Sequence, residues 1–313
     1  MSTDPDGPQR AGSAPDRALN WQTQPDRGTP EAIQLILWIT RKIGYRAGRF
    51  FLPPIVLYFL LTSRHATRSS RNFLRHARGR HRIMTWEVYR HLWTYAATLH
   101  DRIFLTQGTD PRYHIATEGL ALLKKALAEG HGVLLLGSHL GSFEVMRSLG
   151  ESARLPLKIV MHPAEGRPVT SFLESFGNPD PRSVIWTDNP YAMLTMQAHL
   201  RSGGLLALLA DRAPRSSRTW KAAFLGQEAG FPLTPFYLAA RLSPSIFTFY
   251  CIHERARHYR IRIEPLPSSL LPTLEETALQ IGQEYVQRLE RDAHQYPMNW
   301  FNFYDFWLPP GSS

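Results

Sequence analysis

The sequence has 313 residues, of which 43% are hydrophobic and 20% are charged, and it contains a single cysteine, Cys251. This balance excludes a wholly disordered chain and a collagen-like repeat, and one cysteine excludes both a disulfide framework and a cysteine zinc site. The length allows one large domain or two smaller ones, and either can bury a core that is stable without disulfide bonds.

The excess positive charge is concentrated in one segment. The chain has 36 Lys and Arg residues against 26 Asp and Glu residues, a formal net charge of +10. Residues 41–82 contain eleven of these cations and no acidic residue, so the rest of the chain is close to neutral. Such a block favours a phosphate-bearing partner, a class that includes nucleic acid, a membrane surface and an acidic carrier protein.

The composition changes near residue 31. Residues 1–30 are rich in Pro, Gly, Asp and Ser and nearly lack aliphatic side chains, so they are predicted to be a disordered tail. Residues 31–82 are predicted to associate with a membrane. Residues 50–61 carry no charge, but these twelve residues would reach only about 18 Å as a helix, against about 30 Å for the hydrocarbon core. This favours an interfacial or re-entrant anchor over a full span, and a buried core helix is the third interpretation.

A regular row of arginines follows this apolar segment. Their spacings of four and three residues place them within a sector of about 80° on one helix face. No glutamate balances them at i,i+4, which favours a face turned toward anionic lipid headgroups over an ordinary solvated face. Nucleic acid is the rival partner, but no base-reading module is present, so no nucleic-acid partner is predicted. The six residues are Arg64, Arg68, Arg71, Arg75, Arg78 and Arg82.

Residues 83–313 are predicted to form an α/β catalytic domain. Helical periods are found at 86–104, 115–129 and 274–294, and helix starts are expected near Ser142, Pro168 and Pro190. Short apolar runs predict strands at 133–137, 157–161, 183–186, 205–209, 246–252 and 259–263. The predicted fold is therefore α/β, with a mainly parallel sheet flanked by helices and an N-terminal helical region that associates with a membrane.

The strongest candidate for chemistry lies where the strand at 133–137 meets the following helix. His139 stands at the end of the strand and Glu144 in the first helical turn, at the sheet edge where α/β proteins bind ligands. Within one helix the two would diverge by about 140°, so they can meet only if His139 precedes the helix. A neutral imidazole there can accept a proton from a substrate hydroxyl while a carboxylate fixes its tautomer. Gly141 is expected to allow a substrate to approach closely.

Several sequence blocks, taken together, match the pattern of one protein family. The blocks are GSHLGSFE at 137–144, ADR at 210–212, FLG at 224–226, FP at 231–232, PF at 235–236 and NWFNFYDFW at 299–307. The chain resembles the lysophospholipid acyltransferase superfamily over about residues 31–308, in the bacterial branch similar to the late lipid A (lauroyl or myristoyl) acyltransferases. The resemblance implies that His139 is the general base, that Glu144 is its orienting acid and that an acyl carrier protein thioester is the usual donor. It implies no cofactor and no metal, only acyl-ACP or acyl-CoA as co-substrate.

The other blocks suggest binding residues. Asp211 and Arg212 follow a predicted strand, so they are expected in the same crevice. There Arg212, together with Arg215 and Arg218, either holds a phosphate or forms salt bridges within its loop. The resemblance implies that Asp211 and Arg212 contribute to the substrate site. Phe224, Phe231 and Pro232 are expected either to line an acyl pocket or to close the core. The aromatic ending at 299–307 favours core packing over an interfacial aromatic belt.

The predicted function is a membrane-associated acyltransferase on the cytoplasmic face of a bacterial inner membrane. It would move a fatty acyl group to a hydroxyl or an amine of a glycolipid or lipid-linked acceptor, with acyl carrier protein, an anionic lipid surface and the lipid acceptor as partners. Candidate acceptors are a lipid A precursor, another glycolipid and a lipid-linked polyene pigment, and a late lipid A acyltransferase proper is the first alternative. The alternative of another class is a scaffold that tethers a carrier protein to the membrane without chemistry. A structure in which His139 and Glu144 point apart, with Glu144 in solvent, would favour the scaffold.

Overall fold

The computed structural model describes residues 42, 44–105, 112–161, 183–212 and 218–307. The predicted tail at 1–30 and the helix start predicted near Pro168 lie outside these residues.

Among the described residues, three helices precede the sheet: α1 (Tyr45–Thr62), α2 (Arg64–Arg78) and α3 (Thr85–Leu105). Helix α1 continues through Pro53 and Pro54. Helix α2 ends at Gly79, which has a left-handed backbone conformation with φ of 59°, the conformation that commonly terminates helices. The prediction of one six-arginine helix face is therefore wrong for Arg82, which lies beyond the end of α2.

The central sheet has seven strands in the order β1-β9-β8-β2-β5-β3-β4. The five strands from β8 to β4 are parallel to one another, whereas β9 is antiparallel to β8 and pairs in parallel with β1. Strands β6 and β7 form a separate antiparallel hairpin. The strands are β1 (His114–Glu118), β2 (Val133–Gly141), β3 (Leu157–Met161), β4 (Val184–Trp186), β5 (Leu205–Leu209), β6 (Thr219–Phe224), β7 (Gln227–Pro232), β8 (Ser245–Arg255) and β9 (His258–Pro265).

Helices cover both faces of the sheet, as predicted. Leu134 and Leu136 of β2 pack into one hydrophobic cluster, and Val133 and Leu135 pack into the cluster on the opposite face. A strand that is buried on both faces has a continuous run of apolar residues, and this run is why β2 could be predicted from the sequence. The remaining helices are α4 (Leu120–Ala128), α5 (Phe143–Ser152), α6 (Ala192–Arg201), α7 (Thr234–Leu242) and α8 (Leu274–Gln295), followed by a 3-10 turn at Pro297–Asn299.

One predicted helix start is wrong and another differs from the structure by two residues. The segment predicted as one helix at 115–129 is divided, because β1 pairs with β9 and Gly119, with φ of 83°, separates it from α4. The pairing of β1 with β9 outweighs the helical period of its sequence. Helix α6 begins at Ala192, close to the start predicted near Pro190. The two residues between them lie in a turn, in which the side chain of Asn189 accepts a hydrogen bond from the Tyr191 N–H at 2.9 Å.

The aromatic ending packs into the core, as favoured by the sequence. Trp300 is fully buried, with its ring in edge contact with Phe73 of α2, Phe224 of β6 and Phe306. This segment also joins the sheet, since Leu140 and Trp300 form an isolated antiparallel bridge. The chain end therefore forms part of the wall behind the end of β2.

Candidate active site

The register of two parallel strands brings His139 and Asp211 together. Gly137 of β2 stands opposite Leu209 of β5, and His139 and Asp211 each follow two residues after that pair. The Ala210 N–H also donates to the Gly137 carbonyl at 2.9 Å, which continues the strand pairing. Both side chains therefore lie at the carboxyl edge of the sheet, where ligand sites of parallel α/β proteins form.

Asp211 is fully buried and accepts three hydrogen bonds. Its Oδ1 lies 2.8 Å from His139 Nδ1, and its Oδ2 accepts the His139 backbone N–H at 3.0 Å and the Trp300 indole N–H at 3.2 Å. A carboxylate can only accept hydrogen bonds, so Nδ1 of His139 carries the proton and Nε2 keeps its lone pair. The arrangement fixes both the tautomer and the orientation of the imidazole.

The electrostatic environment keeps this pair in the state that a base requires. Burial of the ring is the largest cause that lowers the pKa of His139, followed by the charge of Arg212, while Asp211 acts in the opposite direction. The net pKa lies below its ordinary value, so the ring is neutral at pH 7. Burial acts to raise the pKa of Asp211, but the interactions with His139 and the charge of Arg212 outweigh it and lower the pKa to about 2. Asp211 is therefore an anion at pH 7.

The Nε2 atom of the His139 ring is on the side away from Asp211. The His139 side chain is 30% exposed, and no described residue forms a hydrogen bond with Nε2. The backbone around it is fixed, because the His139 carbonyl accepts the Phe301 N–H at 2.9 Å and the Tyr285 hydroxyl donates to the Gly137 carbonyl at 2.7 Å. Nε2 is thus an accessible lone pair on a rigid support, which is the arrangement of a general base.

A buried histidine stands behind Trp300. His91 Nε2 lies 2.9 Å from the Trp300 carbonyl, and His91 Nδ1 lies 2.8 Å from the Ser70 hydroxyl. Burial lowers the pKa of His91 to about 4, against the opposing hydrogen bond to Trp300, so this ring is neutral at pH 7 and donates from Nε2. Helices α2 and α3 are therefore linked through Trp300 to Asp211.

The structure corrects the expected role of Glu144. Its Oε1 lies 2.9 Å from Arg102 Nη2 and its Oε2 lies 3.1 Å from Arg147 Nε, so both carboxylate oxygens bind guanidinium groups. Asp211, rather than Glu144, occupies the Nδ1 side of His139. Glu144 is not in solvent, since its side chain is 15% exposed, and His139 retains a carboxylate partner. The condition that would favour a scaffold is therefore not met.

The expected substrate-binding residues are placed differently from the prediction. Gly141 has φ of 87°, and a Cβ there would lie 1.9 Å from the Cys251 carbonyl oxygen, so the close approach is to strand β8 rather than to a substrate. Phe224 and Phe231 are fully buried in edge contact with each other, and Pro232 is buried at the end of β7. Phe224 and Phe231 therefore pack in the core, which is the second of the two roles expected for them.

Arg212 is turned inward rather than toward a loop carboxylate. Its Nη2 donates to the Phe301 carbonyl, and its guanidinium stands 5.7 Å from the centre of the Tyr304 ring. It therefore fixes the C-terminal segment close to Asp211. Arg218, expected beside it on a phosphate, is mostly exposed and lies 3.7 Å from Glu275, and Arg215 lies outside the described residues.

The predicted membrane-facing segment has two kinds of exposed side chain. On α1, Phe50, Leu57, Tyr58 and Leu61 are exposed. On α2, Arg64, Arg68 and Arg75 are exposed and Arg71 is half-buried, but Arg78 forms an ion pair with Glu87 of α3. Of the helices that the structure describes, none combines the length and apolar character needed to cross a membrane.

The chain was also compared with known proteins. The family model of bacterial lipid A biosynthesis acyltransferases matches residues 36–308. This chain belongs to that family. A search of curated proteins found no match. The matched region includes every helix and strand described above, and with them the His139 and Asp211 pair and the aromatic ending.

Sequence reasoning missed the direct contact of His139 with Asp211, although the signal was present. Both strands were predicted, and Asp211 was expected in the same crevice because it follows a strand. The missing information was that β2 and β5 are neighbours in the sheet. The contribution of Trp300 had no comparable signal, since the bridge between Leu140 and Trp300 joins positions far apart in the sequence.

Proposed function

We propose that this member of the lipid A acyltransferase family transfers a fatty acyl group from a carrier thioester to a hydroxyl or amine of a lipid acceptor, with His139 as the general base and Asp211 as its orienting carboxylate. One observation carries the proposal. A neutral imidazole with an accessible Nε2 is held by a fully buried carboxylate at the carboxyl edge of a parallel sheet. The nucleophile then belongs to the acceptor and not to the protein.

In the proposed reaction, His139 both accepts the proton of the acceptor and returns it to the leaving group. His139 Nε2 accepts the proton of the acceptor hydroxyl as its oxygen attacks the thioester carbonyl carbon, and Asp211 stabilises the imidazolium that forms. The tetrahedral intermediate then collapses, the C–S bond breaks, and the imidazolium returns its proton to the departing thiolate. An ester and a free thiol are produced, and His139 is again neutral.

The family match favours a lipid A precursor over the other two acceptor classes considered from the sequence. The donor is proposed to be acyl carrier protein, with acyl-CoA as the alternative. An acidic carrier would be attracted to a segment, residues 41–82, that has eleven cations and no acid.

The same segment supports peripheral association with the cytoplasmic face of a bacterial inner membrane. The exposed apolar residues of α1 are followed directly by the exposed arginines of α2. Apolar side chains that enter the interface and cations that contact anionic headgroups stabilise such binding together. Liposome flotation at increasing salt would measure the electrostatic share, and preferential retention of nucleic acid at the same salt would contradict this assignment.

The experiment for the proposed reaction is transfer from radiolabelled acyl carrier protein into total membrane lipid, with the products identified by mass spectrometry. The His139→Ala variant is expected to lose at least a thousandfold in rate with its fold intact, because the imidazole that takes the proton of the acceptor is removed. The matched control is His131→Ala, an exposed histidine before β2, which should retain the wild-type rate.

A labelled lipid formed only by proteins that retain His139 would establish the reaction and identify the acceptor. Wild-type rates in His139→Ala would exclude the proposed base. If neither protein labels any lipid from acyl-ACP or acyl-CoA while both bind liposomes, the scaffold alternative gains support.

A further inference from the structure

A cationic cavity lies outside the residues assigned to catalysis. Its volume is about 850 Å³, and its lining combines the end of β8, the first part of α3 and the turn at Pro297–Asn299. Five arginines line it, whereas Glu254 is its one acidic lining residue. The Glu254 carboxylate accepts a hydrogen bond from Arg260 at 2.7 Å and is therefore already neutralised.

Most of this charge has no partner within the part of the chain that is described. Arg80, Arg90 and Arg255 are exposed at the cavity and form no ion pair with a described residue. Arg49 Nη1 is buried without a hydrogen bond to any described residue, and its closest acidic atom is Asp101 Oδ1 at 3.9 Å. Arg78 is neutralised directly by Glu87, and Arg49 is paired at a longer distance with Asp101. Three guanidinium groups without an ion pair to a described residue surround one concave space and attract an anion. Guanidinium groups suit phosphate oxygens in particular.

The cavity opens on the same edge of the sheet as His139. Strands β2 and β8 are parallel neighbours, and Gly141 pairs with Cys251. His139 precedes Gly141, while Ile252 and His253 of the cavity directly follow Cys251. The turn at Pro297–Asn299, which also lines the cavity, leads into Trp300, whose indole binds Asp211.

The two sites therefore share a wall. The Asn299 side chain accepts the His253 N–H at 2.8 Å and donates to the His253 carbonyl at 3.2 Å, which fixes the turn against β8. Inside the wall, His253 Nε2 is buried and has no hydrogen bond to a described residue. The wall consists of hydrogen-bonded polar groups and contains a buried nitrogen with no hydrogen-bond partner among the described residues. This distinguishes the cavity from a solvated surface groove.

From these observations we infer that the cavity binds the phosphate group of one of the two substrates while the acyl group is transferred at His139. This inference rests on the proposed function. A phosphate group occurs on the phosphopantetheine arm of a carrier thioester, and it occurs on the headgroup of a phosphorylated glycolipid. The cavity chemistry is the same for both, so the two sources are separated by experiment.

The test is calorimetric titration of the full chain with glucosamine 1-phosphate and with 4′-phosphopantetheine, each beside its phosphate-free counterpart. At least one phosphorylated probe is expected to bind, and at least tenfold more tightly than glucosamine or pantetheine. Binding of the sugar phosphate assigns the cavity to the acceptor, and binding of phosphopantetheine assigns it to the donor. If neither phosphate improves affinity, the inference is overturned.

Variants locate the binding in the cavity. The double change Arg90→Gln and Arg255→Gln is expected to weaken the phosphate-dependent binding at least tenfold, with each single change intermediate. The control Arg241→Gln removes an exposed arginine on α7 that does not line the cavity, and it should leave binding unchanged. Equal losses in the double variant and in this control would also overturn the inference.

The inference can fail independently of the proposed function. Binding in the cavity needs no chemistry, so His139→Ala should bind the phosphorylated probe as well as the wild type does. Transfer that depends on His139 without any phosphate binding would remove the cavity from the account and leave the reaction in place. Phosphate binding without acyl transfer would support the binding site in the cavity and contradict the proposed reaction.

Discussion

Two carboxylates that could be partners of His139 have opposite surroundings in the structure. Asp211, which is 72 residues away in sequence, is fully buried and receives three hydrogen bonds from His139 and Trp300. Glu144, which is five residues away, is partly exposed and is held between Arg102 and Arg147. The comparison shows that adjacency of strands in a parallel sheet, and not adjacency in the chain, decides which acid orients the base.

The physical reason is the direction in which each segment leaves the strand. At Gly141 the chain turns with φ of 87° and enters α5, so Glu144 lies in the first turn of a new helix, where it meets an arginine one turn later. Strand β5 keeps the register of β2 up to Leu209. Asp211, two residues beyond Leu209, therefore lies beside His139, which is two residues beyond Gly137.

The largest effect that would sharpen this comparison is expected for Asp211→Asn. The amide has nearly the same shape but no charge, so it can stabilise neither the required tautomer nor the imidazolium. We expect the rate of acyl transfer to fall at least a hundredfold, with little change in the KM for the acceptor. Steady-state kinetics with a thermal melt of each protein would measure this, and a rate within threefold of wild type would break the comparison.

A smaller effect is expected for Trp300→Phe, which removes the indole N–H from Asp211 and keeps an aromatic ring in the core. Trp300 is a positioning residue, because it acts through Asp211. We expect about a tenfold lower kcat and a lower melting temperature, since some buried ring volume is lost. A purely structural role would lower stability and leave the kcat of the folded enzyme unchanged.

The smallest effect on rate is expected for Glu144→Gln. This change removes the charge that two arginines share but leaves hydrogen-bonding atoms in place. We expect a rate within about threefold of wild type and a free energy of unfolding lower by about 1 kcal/mol. A loss as large as that of Asp211→Asn would show that the base depends on Glu144 and not only on Asp211.

Most of the sheet was predictable because its strands are buried on both faces. The runs at Leu157–Met161 and Leu205–Leu209 were predicted with the bounds that the structure has. Strand β1 was missed because four of its five residues are exposed at the sheet edge, so no apolar run marks it. The pairing of Asp211 with His139 was missed for another reason, since strand order is a property of the assembled sheet.

The most direct test of the central claim is an NMR titration of the His139 ring in the wild type, in Asp211→Asn and in Glu144→Gln. Asp211 opposes the fall in the His139 pKa, so Asp211→Asn should lower that pKa further and shift the acid limb of the rate profile to lower pH. In the wild type and in Glu144→Gln, Nδ1 should carry the proton at pH 7, with the same pKa in both. A His139 pKa or tautomer that changes in Glu144→Gln and stays constant in Asp211→Asn would contradict the account.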